Sequence, residues 1–278
     1  FILIIQKFCY WSKMIIENII NHRFLVNFTK YRNLLVELVK RDIKIKYRRS
    51  ILGLFWSFLE PLLFMIVLTV IFSTLFKSNI QNYPVYILTG RLPYTFFAQG
   101  TSAAMSAIYK NAPIIKKIYV PKYMYIIGVT ISGLITFLLS FVVLFLVMFA
   151  THAPFTLYIL LGVVPIILFS IFIIGIGLIL ATLTVFFRDI EHLYSVILIL
   201  ILYGSAIMFP IQIVPEKYQF LILYNPIYVL ITLLRDCFLY GTLFNPFQLI
   251  FATVVSIVTL IIGILIFYKY QDKFILYI

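Results

Sequence analysis

YMYIIGVTISGLITFLLSFVVLFLVMFA, from Tyr123 to Ala150, is a run of 28 residues without one charged side chain. As a helix rising 1.5 Å per residue it would be about 42 Å long, more than the ~30 Å hydrocarbon core of a bilayer. A helix of that length on a soluble protein would carry charges along its solvent face. The stretch therefore reads as a membrane span, tilted or protruding to take up the excess length. Working outward, five more runs share its character: Ile51–Phe76, Tyr83–Tyr109, Phe155–Phe187, Leu193–Val214 and Cys237–Tyr268. Their charges are few, chiefly Glu60 in the first and Arg91 in the second. Pro154, Gly162 and Pro165 predict that part of the fourth run is kinked or lies outside the membrane. The expected fold is an all-α integral membrane protein with six transmembrane helices.

Composition agrees, at 64% hydrophobic and 11% charged residues in 278, with a mean hydropathy of +1.11. Six spans and their loops use nearly the whole chain and leave no room for a soluble catalytic domain. A net charge of +13 would suggest nucleic acid in a soluble protein, but these charges sit between the spans, on alternate sides. Of 22 Lys and Arg, 18 fall on one side: those before Ile51, Lys110, Lys116, Lys117, Lys122, Arg188, Lys269 and Lys273. Lys77, Arg91, Lys217 and Arg235 account for the rest. Cytoplasmic loops are the ones enriched in Lys and Arg. Both termini are therefore expected in the cytoplasm, and no nucleic-acid partner is expected. Cys9 and Cys237 fall on opposite sides, which argues against a disulfide. Three scattered His predict no metal site. The chain opens on Phe, so its true start is expected upstream. Phe1–Ile5 is too short for the core of a signal peptide.

Residues 1–50 read as a cytoplasmic segment and 51–278 as the membrane domain. In the former, Ile15, Ile16, Ile19, Ile20, Phe24, Phe28, Tyr31, Leu34, Leu35 and Leu38 recur at helical spacing, with charged and amide residues between them. The pattern fits an amphipathic helix lying among membrane lipid head groups, as a simple anchor or with a functional role. After the fifth run, Tyr218–Leu234 is uncharged and cut by Asn225-Pro226 into two pieces of about 15 Å each as helix. Neither can cross alone. A re-entrant outer hairpin between spans five and six is favoured over a surface hairpin, which would expose both apolar faces.

No catalytic constellation and no phosphate-cradling GxxxxGK[ST] loop is present, so no nucleotide hydrolysis is expected on this chain. Arg188 and Asp189 mark a cytoplasmic helix end. The segment YKNAPIIKKIYVPK (Tyr109–Lys122) carries Asn111, Lys116 and Lys117, with Pro113 and Pro121 bracketing a short apolar stripe of Ile114, Ile115, Ile118 and Tyr119. It reads either as a docking helix for a cytoplasmic partner or as an ordinary basic loop. Arg91 would cost about 2.5–3.5 kcal/mol in lipid at a helix centre. Beside Gly90 and Pro93 it is expected to face a cavity, the alternative being an outer-interface anchor. Tyr94, Phe97, Tyr203, Tyr224 and Tyr228 join it as candidates to line a path; for any one tyrosine an interfacial belt is the simpler role.

Together RDIKIKYRRSILG (41–53) with FWSFLEPL (55–62), GRLPYTFF (90–97), KKIYVP (116–121), VFFRDI (185–190), Val214-Pro215 and Tyr224-Asn225-Pro226 resemble the bacterial ABC exporter permeases for lipid-linked polysaccharides. Those are the O-antigen, capsule and teichoic acid exporters. The resemblance implies two copies of the permease, with two ABC ATPase subunits that alone hold ATP and Mg. It makes Leu34–Ser50, with Arg41, Asp42, Lys46, Tyr47, Arg48 and Arg49, an interface helix, Tyr109–Lys122 a coupling helix and Pro215–Tyr240 outer gate helices. It implies export of a lipid-linked glycan across the bacterial cell membrane. An exporter of drugs or peptides is the nearest alternative, and a membrane enzyme acting on lipid-linked sugars is a second class.

Overall fold

The computed structural model describes residues 23–48, 51–74, 80, 82–118 and 120–277, with side chains of 23–29 and 73–74 excepted. Everything in them is helix or connection, with no strand. The helices are α1 (Arg23–Tyr47), α2 (Trp56–Thr74), α3 (Tyr83–Lys110), α4 (Ala112–Ile115), α5 (Tyr123–Ala150) and α6 (Val163–Phe186). They continue as α7 (Ile190–Gly204), α8 (Glu216–Leu223), α9 (Pro226–Arg235), α10 (Pro246–Tyr270) and α11 (Phe274–Tyr277).

By length and composition four stretches can cross a membrane: Gly53–Phe72, Tyr123–Ala150, Leu157–Phe186 and Pro246–Tyr277. Glu216–Leu223 and Pro226–Tyr240 form a pair bent by 84°, either a broken span or a re-entrant loop, and Ile190–Gly204 is a shorter apolar helix. Helix α3 has 28 residues but too many polar side chains to belong with the four. Two run boundaries differ from expectation. The fifth run stays helical only to Gly204, where the chain unwinds and Ala206 takes φ 45°. The sixth run begins at Pro246, because Cys237–Tyr240 completes the preceding helix in a π-turn that ends at Gly241 with φ 60°.

Local chemistry explains these boundaries. Asn225 and Asn245 each accept a hydrogen bond at Oδ1 from the backbone N–H two residues on, at 3.0 Å, with proline in the first helical position. Both are N-caps that start helices abruptly. Inside the apolar helices, Thr101, Thr130, Ser132, Thr182 and Thr184 donate to the carbonyl four residues back, which satisfies hydroxyls that lipid could not.

Helices α3, α6 and α10 form a tightly packed pillar. A Cβ on Gly263 would stand 2.5 Å from the Gly175 carbonyl oxygen, and one on Gly177 would stand 2.7 Å from Ala104 Cβ. Small residues of this kind let membrane helices approach backbone to backbone. One buried cluster, including Phe141, Leu144, Phe169, Ile173 and Phe238, fills the half towards the bent pair. A second, with Leu38, Ile108, Met124, Tyr125, Phe267 and Phe274, seats α1 and the C-terminal turn at the other end. Helices α2 and α7 flank the pillar with apolar faces left open. On α7 only Tyr194 is buried, while Leu193, Val196 and Leu200 are exposed.

Candidate functional site

The two ends of α3 and the stripe between them carry most of the chemistry. At its C-terminal end Asn111 is buried and used twice. Its Nδ2 donates to Ala107 O at 2.7 Å, and its Oδ1 accepts from Arg41 Nη1 at 2.9 Å. Arg41 is held in turn by Asp42 Oδ1, at 3.1 Å from Nε and 2.9 Å from Nη2. The amphipathic helix α1 is thereby clipped to the point where α3 turns into α4. Helix α4 is a single turn, and its two isoleucine neighbours face opposite ways. Ile115 is buried in the core with Ile108 and Met124, whereas Ile118 is 59% exposed beside Lys116 and Lys117. Pro113 is exposed and Ile114 partly so. Tyr119 and Arg49 lie outside the described residues. Pro121 leads into α5, where Lys122 Nζ donates to Gln271 O at 2.9 Å and ties the C-terminal turn to the same end. Burial lowers the Lys122 ammonium from its ordinary value, and Asp272 opposes that shift.

Arg188 and Asp189 are both exposed in the turn between α6 and α7. Next to them Glu191 accepts a short hydrogen bond from the Tyr109 hydroxyl. Two more hydroxyl bonds join α7 to α3: Tyr194 to Thr101 Oγ1 at 2.6 Å, and Tyr94 to Leu198 O at 2.7 Å. Helix α7 has little buried apolar surface, so these three tyrosines are its principal polar attachment to the pillar.

Along α3 the side chains of Arg91, Thr95 and Gln99 follow one another at i, i+4 spacing on a single stripe. They line a cavity of about 230 Å³ with Lys46 of α1, Glu60 of α2 and Ser140 of α5. The Arg91 guanidinium carbon lies 4.3 Å from the Phe64 ring centroid and 5.6 Å from that of Tyr94, a cation–π setting that steadies it without neutralising it. Lys46 Nζ donates to Gln99 Oε1 at 3.2 Å. A second cavity of about 490 Å³ shares Lys46, Gln99, Gly133 and Thr136 and reaches Arg41, Lys110 and Asn111. The two share a wall and run from the α4 end to Arg91, with basic and amide groups set among apolar side chains. Their carboxylates are Glu60 and Asp42, the latter engaged by Arg41. Such a groove can take an anionic group with several hydrogen-bond acceptors.

The other path candidates are not brought into it. Tyr94 is buried as an attachment of α7. Phe97 is buried against Phe172, with ring centroids 5.8 Å apart, and borders a separate apolar cavity of about 310 Å³ with Tyr194 and Pro226. Tyr228 is buried, and Tyr203 and Tyr224 are exposed. Tyr47 lines the groove, Lys46 bridges its halves, and Arg48 is exposed. Thr95 and Gln99 escaped the sequence reading, although their four-residue spacing from Arg91 was there to find. Among the described residues no group of three or more His, Cys, Asp or Glu could hold a metal ion.

Comparison with known proteins places this geometry. Residues 33–239 match the family model of the ABC-2 type transporter. The chain is 31% identical over 245 residues to an O-antigen export system permease protein RfbA of Klebsiella pneumoniae, covering 87% of this chain and 93% of that protein. It is 25% identical over 235 residues to the polysialic acid transport protein KpsM of Escherichia coli, covering 83% and 90%. It is 22% identical over 213 residues to the capsule polysaccharide export inner-membrane protein CtrC of Neisseria meningitidis, covering 73% and 78%. With its helical pillar, its clipped amphipathic helix and a family match over most of its length, this chain belongs to the ABC-2 type transporter family of membrane proteins.

Proposed function

We propose that the chain is the membrane-spanning permease subunit of an ATP-driven exporter, moving a lipid-linked polysaccharide out of the cytoplasm. Two copies and two ABC ATPase subunits form the working complex, and ATP and Mg belong to the ATPases. In this reading α2, α3, α5, α6, α7 and α10 make six passes with both termini inside, and the bent pair α8–α9 re-enters from outside. The 15 residues of α7 give only about 22 Å of helix. The unwound segment after it completes the pass, as irregular backbone can where protein covers it.

The observation that carries this reading is the row of basic and amide groups along α3, set among apolar side chains in one groove. Arg91 on a lipid-facing surface would be costly, about 2.5–3.5 kcal/mol at mid-helix. In a groove it meets an anion through paired hydrogen bonds, such as a phosphate joining the glycan to its lipid. Arg41–Asn111 supports the coupling role of the α4 end, since a push on α4 is felt at once by α1 and α3. The open apolar faces of α2 and α7, flanking the pillar, suit contact with a second copy.

The test is export and ATP hydrolysis by Arg91→Lys and Arg91→Leu in the assembled complex. Loss of export in both, with ATPase subunits still bound, supports anion contact in the path. Leu exporting as well as the wild type would reduce Arg91 to an interface anchor.

A further inference from the structure

Arg235 closes α9 and is buried, 3% exposed. Among the described residues no carboxylate lies within ion-pair distance of it, and its Nε is buried without a hydrogen-bond partner. Its other nitrogens face backbone. Nη1 and Nη2 each donate to Ala206 O at 3.3 Å, and Nη2 donates to Ile207 O at 3.1 Å. The guanidinium packs against α3, its carbon 3.7 Å from the Tyr86 ring centroid and Nη2 only 2.9 Å from where a Cβ on Gly90 would stand.

Arg235 is one member of a collar. The segment Gly204–Phe209, where α7 unwinds, has lost its helical partners, and side chains from two other elements replace them. Asn225 Nδ2 donates to Gly204 O at 3.1 Å, and Tyr83 Oη to Met208 O at 2.8 Å. The single Tyr86 hydroxyl proton is shared between Phe209 O at 2.8 Å and Ala206 O at 3.1 Å. Unsatisfied carbonyls at membrane depth cost several kcal/mol each, so a neutral donor would have served as a cap. A full positive charge without a counter-ion exceeds that need. It also gives one side chain simultaneous hold on α9, the unwound segment and α3, which no amide in the collar has.

We propose that Arg235 is the positioning residue of the outer gate. Through the Ala206 and Ile207 carbonyls it fixes the α8–α9 hairpin to the unwound end of α7, so that the two move as one body and seal the path between transport events. The proposal rests on the exporter reading given above.

The experiment uses the permease with its ATPase subunits in proteoliposomes, reading three things: complex assembly, leak of entrapped carboxyfluorescein without ATP, and glycan exported per ATP hydrolysed. R235Q, which keeps an amide donor but neither charge nor fork, is expected to leak at least tenfold faster and to hydrolyse ATP with less export. R235K, a charged donor without the planar fork, is expected to fall between R235Q and wild type. Wild-type leak and wild-type export per ATP in an assembled R235Q complex would overturn the proposal. If R235Q does not assemble, Tyr86→Phe decides. It keeps the ring beside the guanidinium, loses the one hydroxyl donor that two collar carbonyls share, and is expected to leak; a tight Tyr86→Phe complex overturns the proposal. A wild-type complex that exports no glycan would refute the exporter reading instead, and the leak comparison would still judge the latch.

Discussion

Gly263 is where the pillar has least room. An alanine there would put its Cβ 2.5 Å from the Gly175 carbonyl oxygen and 3.2 Å from both Gly175 C and Leu178 Cβ. Ordinary carbon contacts are about 3.5 Å or more, so α6 and α10 would have to part by roughly 1 Å. The neighbour is backbone, which cannot turn aside as a side chain can. Gly175 on the other helix is equally confined, against Leu260 N at 2.7 Å, so there is no slack to slide into. Overpacking costs about 1–3 kcal/mol, and a backbone clash belongs at the upper end. At ~2–4 °C per kcal/mol, Gly263→Ala should lower the midpoint by about 6–12 °C. Heated detergent samples resolved by size-exclusion chromatography give that midpoint at a fixed heating rate, which matters where unfolding is irreversible. Gly204→Ala is the control, since nothing lies within 4 Å of its Cβ position, and it should be neutral or raise stability by about 0.4–1 kcal/mol. A Gly263→Ala protein as stable as Gly204→Ala would show that the α6–α10 crossing is not the tight contact described.

The two isoleucines beside α4 should separate docking from folding. Ile118→Asp is expected to abolish ATPase association in a pull-down with the permease still stable, whereas Ile115→Asp should destabilise the permease itself; full association in Ile118→Asp would refute docking there. Topology can be read with a membrane-impermeant thiol reagent in a background lacking Cys9 and Cys237. His152→Cys and Lys217→Cys should label in intact cells and Lys117→Cys only after permeabilisation, and the reverse would refute the orientation.

Membrane character was legible in the sequence because a span must be apolar along its whole length, and no fold detail can disguise that. Helix starts were partly legible. Asn225-Pro226 marks a break in sequence, while Asn245-Pro246, which uses the same cap, is hidden inside a longer apolar run. The end of α7 was not legible. Gly204-Ser205 and Pro210 are local stop signals, but weak ones inside an apolar run; what lets the chain stay unwound is that donors from α3 and α9, far away in sequence, satisfy its carbonyls. The same distance hid the tyrosines. Tyr94 fits an interfacial belt in sequence, and only the fold shows the hydroxyls of Tyr86, Tyr94 and Tyr194 fastening α7 and its unwound end to α3. Arg235 is followed at once by Asp236, so in sequence it reads as half of an ordinary charge pair. Only the fold shows it buried, with no carboxylate at ion-pair distance among the described residues.

Transport of a lipid-linked glycan with energy from a partner ATPase can be followed in inside-out vesicles that hold the chain and its ATPase and are supplied with radiolabelled lipid-linked glycan. Label should enter the lumen only with ATP, and leaving out either subunit should abolish it. Glycan that stays on the outer face while ATP is consumed, or that crosses without the ATPase, would contradict ATP-driven export by this chain.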